Sequence, residues 1–232
     1  MFSTTIKKRG KKIMLTLTAL KKKYGLHVTT NHKDKMQGLA SFSTNPLCNE
    51  LCKKRCNIPG SICEKCYSVT MQHRFDNLNK CLEKNDTIKK VIIPDCDLPI
   101  LFSETGMFRF EAFGDIETEI QVVNYFHMSA ANQFLKCALW TKNPWIIKKA
   151  IKNYGLVKPA NLVIIGSSYF INECMKDFYK KYDFIDYVFT VYTEKYAREN
   201  GIVITCGGRS CASCMKCYFN SHDSYEINEL LK

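Results

Sequence analysis

The sequence lacks any apolar run of the roughly 20 residues that are needed to cross a bilayer. It also lacks a secretion signal, because its basic start contains neither an uninterrupted apolar stretch nor a small-residue cleavage site. These absences predict a cytoplasmic protein with no membrane contact, in which stable disulfides are not expected. Since the 13 cysteines are also an odd number, they indicate metal or redox chemistry rather than a disulfide framework.

Acidic residues are scarce relative to basic ones, and the formal net charge is +12. Such a charge is typical either of a protein that binds a polyanion, such as nucleic acid or a phosphorylated substrate, or of a lysine-rich solvated surface. Neither a helix-turn-helix pattern nor a base-stacking signature accompanies it. The sequence therefore predicts weak nucleic-acid binding at most.

A chain without internal repeats or linkers that is 46% hydrophobic favours one sizeable globular domain. Apolar and aromatic segments predict strands at residues 39–44, 106–115, 134–141, 161–168, 187–193 and 202–206, with an extra short strand at 97–102. Helical patterns lie between them, and one starts with Asn143 as N-cap and Pro144 as first helical residue. This alternation predicts an α/β fold, a partial or full (β/α) barrel of about six parallel βα units.

The expected organisation is an irregular basic leader at 1–35, a β/α domain at 36–205 and a cysteine-rich C-terminal segment at 206–232. In such folds the chemistry lies at the carboxyl ends of the strands. A first cysteine loop, the Gly114–Asp115 step and Cys206 all follow predicted strands. Arg109 and Glu111 alternate with aromatic residues on one strand, so they either point into a barrel lumen or pair with each other.

The C-terminal cysteines have the spacing C-x4-C-x2-C-x2-C and include no histidine. The C-x4-C-x2-C part occurs in ferredoxin-type iron–sulfur sites, and the neighbouring glycines let the backbone wrap closely around a cluster. These four thiols are predicted to bind a metal or a cluster: Cys206, Cys211, Cys214 and Cys217.

The first cysteine loop contains Cys63-x2-Cys66 followed by Tyr67, and this is the firm part of a second site. The third ligand is Cys52 or Cys56, with Cys48 as the more remote choice. Three thiolates would leave one iron of a [4Fe–4S] cluster open to chelate a substrate or a cofactor.

Zinc is the alternative metal. Structural zinc prefers two C-x2-C pairs on separate knuckles, and Cys63–Cys66 with Cys214–Cys217 could supply them. That assignment leaves the remaining clustered thiols without a role, which favours iron–sulfur ligation.

Five segments carry a family resemblance: "SFSTNPLCNELC", "GSICEKCYS", "FRFEAFGDIET", "ALWTKNP" and "ITCGGRSCASCMKCY". Together, from about residue 35 to residue 218, they resemble the phage gene-product-88 family, which has no assigned reaction. The order of strand, cysteine loop, helix and a strand ending in a Gly-acid step also resembles the radical S-adenosylmethionine (SAM) enzymes. The resemblance implies a radical SAM-like fold and, for a phage-encoded protein, the host cytoplasm.

By position, Cys63 and Cys66 match the last two cluster cysteines of the radical SAM motif, and Cys52 matches the upstream cysteine of the phage family. Gly114 and Asp115 match the step that holds the SAM amino group. The spacing departs from the usual C-x3-C-x2-C, since it is C-x10-C-x2-C from Cys52 and C-x6-C-x2-C from Cys56.

The resemblance implies an enzyme that binds one or two [4Fe–4S] clusters and cleaves SAM reductively to a 5′-deoxyadenosyl radical. It also implies an electron donor such as flavodoxin or ferredoxin, and a substrate that the sequence does not name. The C-terminal cluster would relay electrons or anchor the substrate. Two other functions stay open: a zinc-stabilised nucleic-acid-binding protein, and a non-catalytic iron–sulfur redox protein.

Overall fold

A computed structural model describes residues 16–220 and 224–231 of the chain. Its centre is a six-stranded sheet in which every neighbouring pair is parallel and the strand order follows the chain. The strands are β1 (Ala40–Phe42), β2 (Met107–Phe110), β3 (Lys136–Thr141), β4 (Leu162–Ser167), β5 (Tyr187–Tyr192) and β6 (Glu226–Leu230). This order confirms the predicted α/β fold of parallel βα units.

Helices connect the strands. Those in the described residues are α1 (Leu17–Tyr24), α2 (Glu50–Cys56), α3 (Tyr67–Arg74), α4 (Asp76–Asn85), α5 (Glu119–Ala131), α6 (Pro144–Tyr154), α7 (Lys176–Tyr179), α8 (Glu194–Glu199) and α9 (Cys211–Cys214). Gly155 ends α6 in the left-handed conformation, with φ of 62°, where a residue without Cβ is favoured. None of these helices combines the length and the apolarity that crossing a membrane requires.

The two faces of the sheet are covered by different parts of the chain. Phe42, Phe108 and Leu139 lie on the helix face, where they are buried against α5 and α6. Because successive strand side chains alternate between faces, Arg109 and Ala138 lie on the opposite side, here called the inner face. The inner face packs against α9 and the turn that follows it, so that Cys206, Cys211 and Cys217 are partly buried against this side of the sheet.

The sheet is open: β1 and β6 are its two edges, and they do not pair with each other within the described residues. Lys35 nevertheless joins the segment before β1 to β6, since its Nζ lies 2.6 Å from Oε1 of Glu229. This ion pair connects the two edges across the inner face. The arrangement is that of a partial βα barrel, and the alternative of a closed barrel is not observed.

Two strand predictions are wrong. Residues 97–102 form no strand, because Asn132 binds this segment by accepting from Leu101 N–H and donating to Pro99 O, both at 2.9 Å. Residues 202–206 are not the last strand: they run beside β6, and Cys206 forms a single bridge to Glu229. The last strand is β6, so the segment 206–232 completes the sheet as well as carrying cysteines.

The leader was expected to be irregular, and its described part is so only in part. Residues 1–15 lie outside the described residues, while residues 16–36 contain α1 and a helical turn at Asp34–Met36, with neither helix nor strand at 25–33. Leu20 and Leu26 are buried in the main core, 1% exposed each, which holds this basic segment against the domain.

Candidate functional site: two groups of cysteine thiols

The first cysteine loop follows β1 and crosses the carboxyl-terminal edge of the sheet. Asn45 and Asn49 start its helical turns, each accepting a hydrogen bond from the backbone N–H two residues ahead, at 2.8 and 2.9 Å. Further along, Ile62 N–H donates to the carbonyl oxygen of Tyr169, at 2.9 Å, after β4. The loop therefore lies at the edge where parallel βα folds carry their chemistry.

Four thiols of this loop lie close enough to influence one another electrostatically. Burial raises the pKa of Cys56, and the neighbouring Cys66 and Cys63 thiols raise it further. Burial is also the main cause of the raised pKa of Cys52, to which Cys63 adds. The positive charge of Lys142 acts in the other direction and lowers the pKa of Cys52, Cys56 and Cys63. Cys52, Cys56, Cys63 and Cys66 therefore lie on one loop near the Lys142 cation, and we call them the first thiol group.

Cys48 is the cysteine of the loop that faces elsewhere. It lines a separate cavity of about 370 Å³ with Glu83, Asp86 and Lys89. Burial and the Asp86 carboxylate raise the pKa of this thiol. Its position separates it from the first thiol group.

Asp115 is buried, and its carboxylate is already bound by protein groups. It accepts hydrogen bonds from Thr141 Oγ1 at 2.7 Å and from the backbone N–H groups of Ile116 and Lys142 at 2.8 and 2.9 Å. It also pairs with Arg55 of α2, Nη1 to Oδ2 at 3.4 Å. Because these donors hold the carboxylate, Asp115 fixes α2 of the cysteine loop to the ends of β2 and β3.

The Arg55 side chain extends this network to α6. It donates to Asn143 Oδ1 and, at 3.3 Å, to the carbonyl oxygen of Lys142. Asn143 stands at the N-cap position as predicted, but its side chain makes no cap hydrogen bond and donates instead to Ile116 O at 2.6 Å. Arg55 was missed from sequence because it belongs to a basic run, and only its burial distinguishes it.

Gly114 and Tyr67 line the same edge. Gly114 has φ of 81°, and a Cβ there would lie 2.7 Å from the carbonyl oxygen of Thr44, so only glycine permits this approach to the cysteine loop. The Tyr67 hydroxyl donates to the carbonyl oxygen of Ala112, and its ring lies 5.7 Å from that of Phe113. Tyr67 remains 58% exposed, so its ring is open to a ligand.

Glu111 is a buried carboxylate at this edge whose surroundings the sequence did not reveal. Its backbone is left-handed, with φ of 54°, which turns the side chain away from Arg109 and towards α5. There it accepts from Thr44 Oγ1 at 3.0 Å, from Gln121 Nε2 at 2.6 Å and from the Tyr125 hydroxyl. The sequence left two alternatives for Glu111: that it points into a barrel lumen or that it pairs with Arg109. The structure shows neither.

The burial of Glu111 predicts a pH-dependent stability. Burial raises its pKa from 4.5 to about 7, so the folded protein binds this proton more tightly than the unfolded chain does. The resulting stabilisation is complete below about pH 4.5 and is lost as the pH rises towards about 7. We expect Glu111→Gln, which mimics the protonated acid, to flatten this part of the profile of unfolding free energy against pH.

Chemical denaturation at about pH 5 and about pH 7.5 measures the effect. Glu194→Gln makes the same chemical change at an exposed position and should leave the profile unaltered. An unchanged slope in Glu111→Gln would contradict the prediction.

The second thiol group consists of Cys206, Cys211, Cys214 and Cys217, and all four line one cavity of about 340 Å³. Cys211 and Cys217 pack on the inner face of the sheet, and Ser210 caps α9 by accepting from Ser213 N–H at 3.2 Å. Cys206 was expected at the carboxyl end of a strand, but it lies beside β6 instead. The four thiols that the spacing predicted to act together line this one cavity, and their role as ligands stays a prediction.

Cations surround the second thiol group. Lys35, Arg209 and Lys216 line the cavity, and Arg109 lowers the pKa of the Cys211 thiol against the larger effect of burial. Arg109 therefore points towards the inner face, which was one of its two predicted orientations. Lys35 was missed because it precedes β1 by five residues and no local pattern connects it to Cys206.

Both groups have the donor chemistry of an iron–sulfur site: clustered thiols, no imidazole ligand and neighbouring cations. As placed, no three or more His, Cys, Asp or Glu side chains within residues 16–220 and 224–231 form a group that could hold a metal ion. Each cysteine of a cluster binds a different iron, so cluster ligands stand farther apart than the ligands of one zinc ion.

An α/β architecture of this kind hosts many activities, so the fold by itself assigns none. The resemblance to the phage family and to radical SAM enzymes, drawn from five sequence segments, stays a prediction. Comparisons of the chain with protein-family models, with curated proteins and with solved structures found no match.

Proposed function

We propose that this protein is an iron–sulfur protein of the phage gene-product-88 type that resembles radical SAM enzymes and cleaves SAM reductively. The observation that carries the proposal is the position of the first thiol group, since Cys52, Cys56, Cys63 and Cys66 are partly buried on one loop after β1 of a partial βα barrel. A second [4Fe–4S] cluster is proposed at the second thiol group.

Cys63 and Cys66 supply two ligands of the first cluster, and the third comes from Cys52 or Cys56. The resemblance favours Cys52, whereas the two thiols that most affect the pKa of Cys56 are those of Cys66 and Cys63. Separate Cys52→Ser and Cys56→Ser variants decide between them through their iron content.

A cluster with an open iron supplies the electron that cleaves SAM, while the protein binds and orients the cofactor. The backbone at Gly114 comes within contact distance of the loop, and the exposed Tyr67 ring offers a surface beside it. Asp115 is assigned a positioning role, because its carboxylate holds Arg55 and the end of β3. Lys142 balances thiolate charge at this edge. An external flavodoxin or ferredoxin is the proposed electron donor.

The test starts from protein purified without oxygen. Iron and sulfide should be present at both sites, and adding SAM to the reduced protein should change the EPR signal of the first cluster and yield 5′-deoxyadenosine. Iron and sulfide without any SAM effect would leave a non-catalytic iron–sulfur protein. Colourless protein containing zinc would overturn the proposal in favour of a zinc-stabilised protein, whose nucleic-acid binding should then weaken steeply with salt.

A further inference from the structure

Lys35 makes a direct contact with a thiol of the second group. Its Nζ donates to Sγ of Cys206 at 3.0 Å and to Oε1 of Glu229 at 2.6 Å. The contact with the Glu229 carboxylate is an ion pair, in which the lysine is 30% and the glutamate 21% exposed. One side chain thus links a cysteine ligand, the last strand and the segment before β1.

Arg109 provides a second cation on the same face. Its guanidinium carbon lies 3.9 Å from the ring centroid of Trp140, and its Nε is buried without a hydrogen-bond partner. Within the described residues it pairs with no carboxylate, and its Nη1 contacts only Met36 Sδ, at 3.8 Å. Burial raises the pKa of both Cys211 and Cys217, and the positive charge of Arg109 acts to lower it. Arg109 as a residue is half-buried, and a cation held beside two thiols favours negative charge on them.

We propose that Lys35 and Arg109 set the reduction potential of the cluster held by Cys206, Cys211, Cys214 and Cys217, and that Glu229 opposes them. The proposal rests on the proposed function only in requiring a cluster at the second thiol group. It assigns roles to three residues outside the cysteine motif, one of them in the predicted leader.

The direction of each effect follows from charge. Reduction adds a negative charge to a cluster, so a nearby cation and an N–H donated to a ligand sulfur stabilise the reduced form and raise the potential. The carboxylate of Glu229 destabilises the reduced form and lowers the potential. Removing Lys35 and removing Glu229 must therefore shift the potential in opposite directions.

The experiment is a potentiometric titration of the full chain that is monitored by EPR. The EPR signal of the second cluster is identified as the signal that the Cys66→Ser variant retains. We expect Lys35→Met and Arg109→Gln to lower its potential and Glu229→Gln to raise it. Lys176→Met is the matched control, because Lys176 also pairs with a glutamate of β6, Glu226 at 3.0 Å, but is not part of the cavity.

The proposal is supported if the reduction potential shifts in opposite directions in Lys35→Met and Glu229→Gln and does not shift in Lys176→Met. If the ion pair were purely structural, removing either partner would change the potential in the same direction. If Lys35→Met does not fold, Glu229→Gln keeps the lysine and tests the same point alone. A second cluster with full iron and sulfide whose potential does not respond overturns this proposal and leaves the proposed function standing. Absence of iron at the second thiol group overturns this proposal and the second cluster, while absence of iron at both thiol groups overturns the proposed function as well.

Discussion

Replacing Cys66 by serine should remove about half of the bound iron and all SAM-dependent formation of 5′-deoxyadenosine. Replacing Cys214 should remove the other half and leave the SAM-induced EPR change intact. The reason is spatial: Cys66 belongs to a loop at the carboxyl edge of the sheet, whereas Cys214 lines a cavity on the inner face. Iron, sulfide and 5′-deoxyadenosine measured on the same anaerobic samples check both expectations.

Cys48→Ser is the matched control for the first site. Cys48 lies in the same loop, but it faces the cavity lined by Glu83 and Asp86, so its replacement should leave iron and activity unchanged. Equal iron loss in Cys66→Ser and Cys214→Ser, with all iron lost in each, would instead mean that the two thiol groups hold one shared centre. Iron loss in Cys48→Ser would contradict the separation of that thiol from the first group.

The βα order was predictable because it depends on local patterns. The strands around Phe108, Leu139 and Ile164 are apolar runs between turn signals, and each forms where its pattern indicates. That the cysteines fall into two groups was predictable for the same reason, since short spacings keep the members of each group in one segment of the chain. The spacing could not show on which side of the sheet each group lies.

The features that the sequence did not reveal depend on contacts between distant residues. β6 contains a buried Ile227 among polar and acidic residues, so its strand character comes from pairing with β5 rather than from its own pattern. Residues 97–102 have a strand-like composition, but the Asn132 side-chain amide forms hydrogen bonds with their backbone groups. Lys35 resembles any leader lysine until β6 brings Glu229 beside it.

Asp115→Ala should lower the free energy of unfolding by about 3–5 kcal/mol, the range for breaking a buried ion pair by removing one partner. The Arg55 and Asp115 side chains are 10% and 8% exposed, so the arginine would remain as an uncompensated buried charge. Thr141 Oγ1 and the Lys142 N–H would also lose their acceptor. Denaturant unfolding of the variant and the parent chain measures the loss.

The same substitution should act selectively on the two sites. Asp115 holds α2, which carries Cys52 and Cys56, so reconstitution of the first cluster should weaken while the second thiol group keeps its iron. Glu194→Ala is the control, because Glu194 and Arg198 form an exposed pair at 2.8 Å whose loss should cost about 0.3–0.5 kcal/mol. Weak iron binding at both sites would indicate general unfolding, and a loss of stability no larger than in Glu194→Ala would mean that Asp115 does not position the cysteine loop.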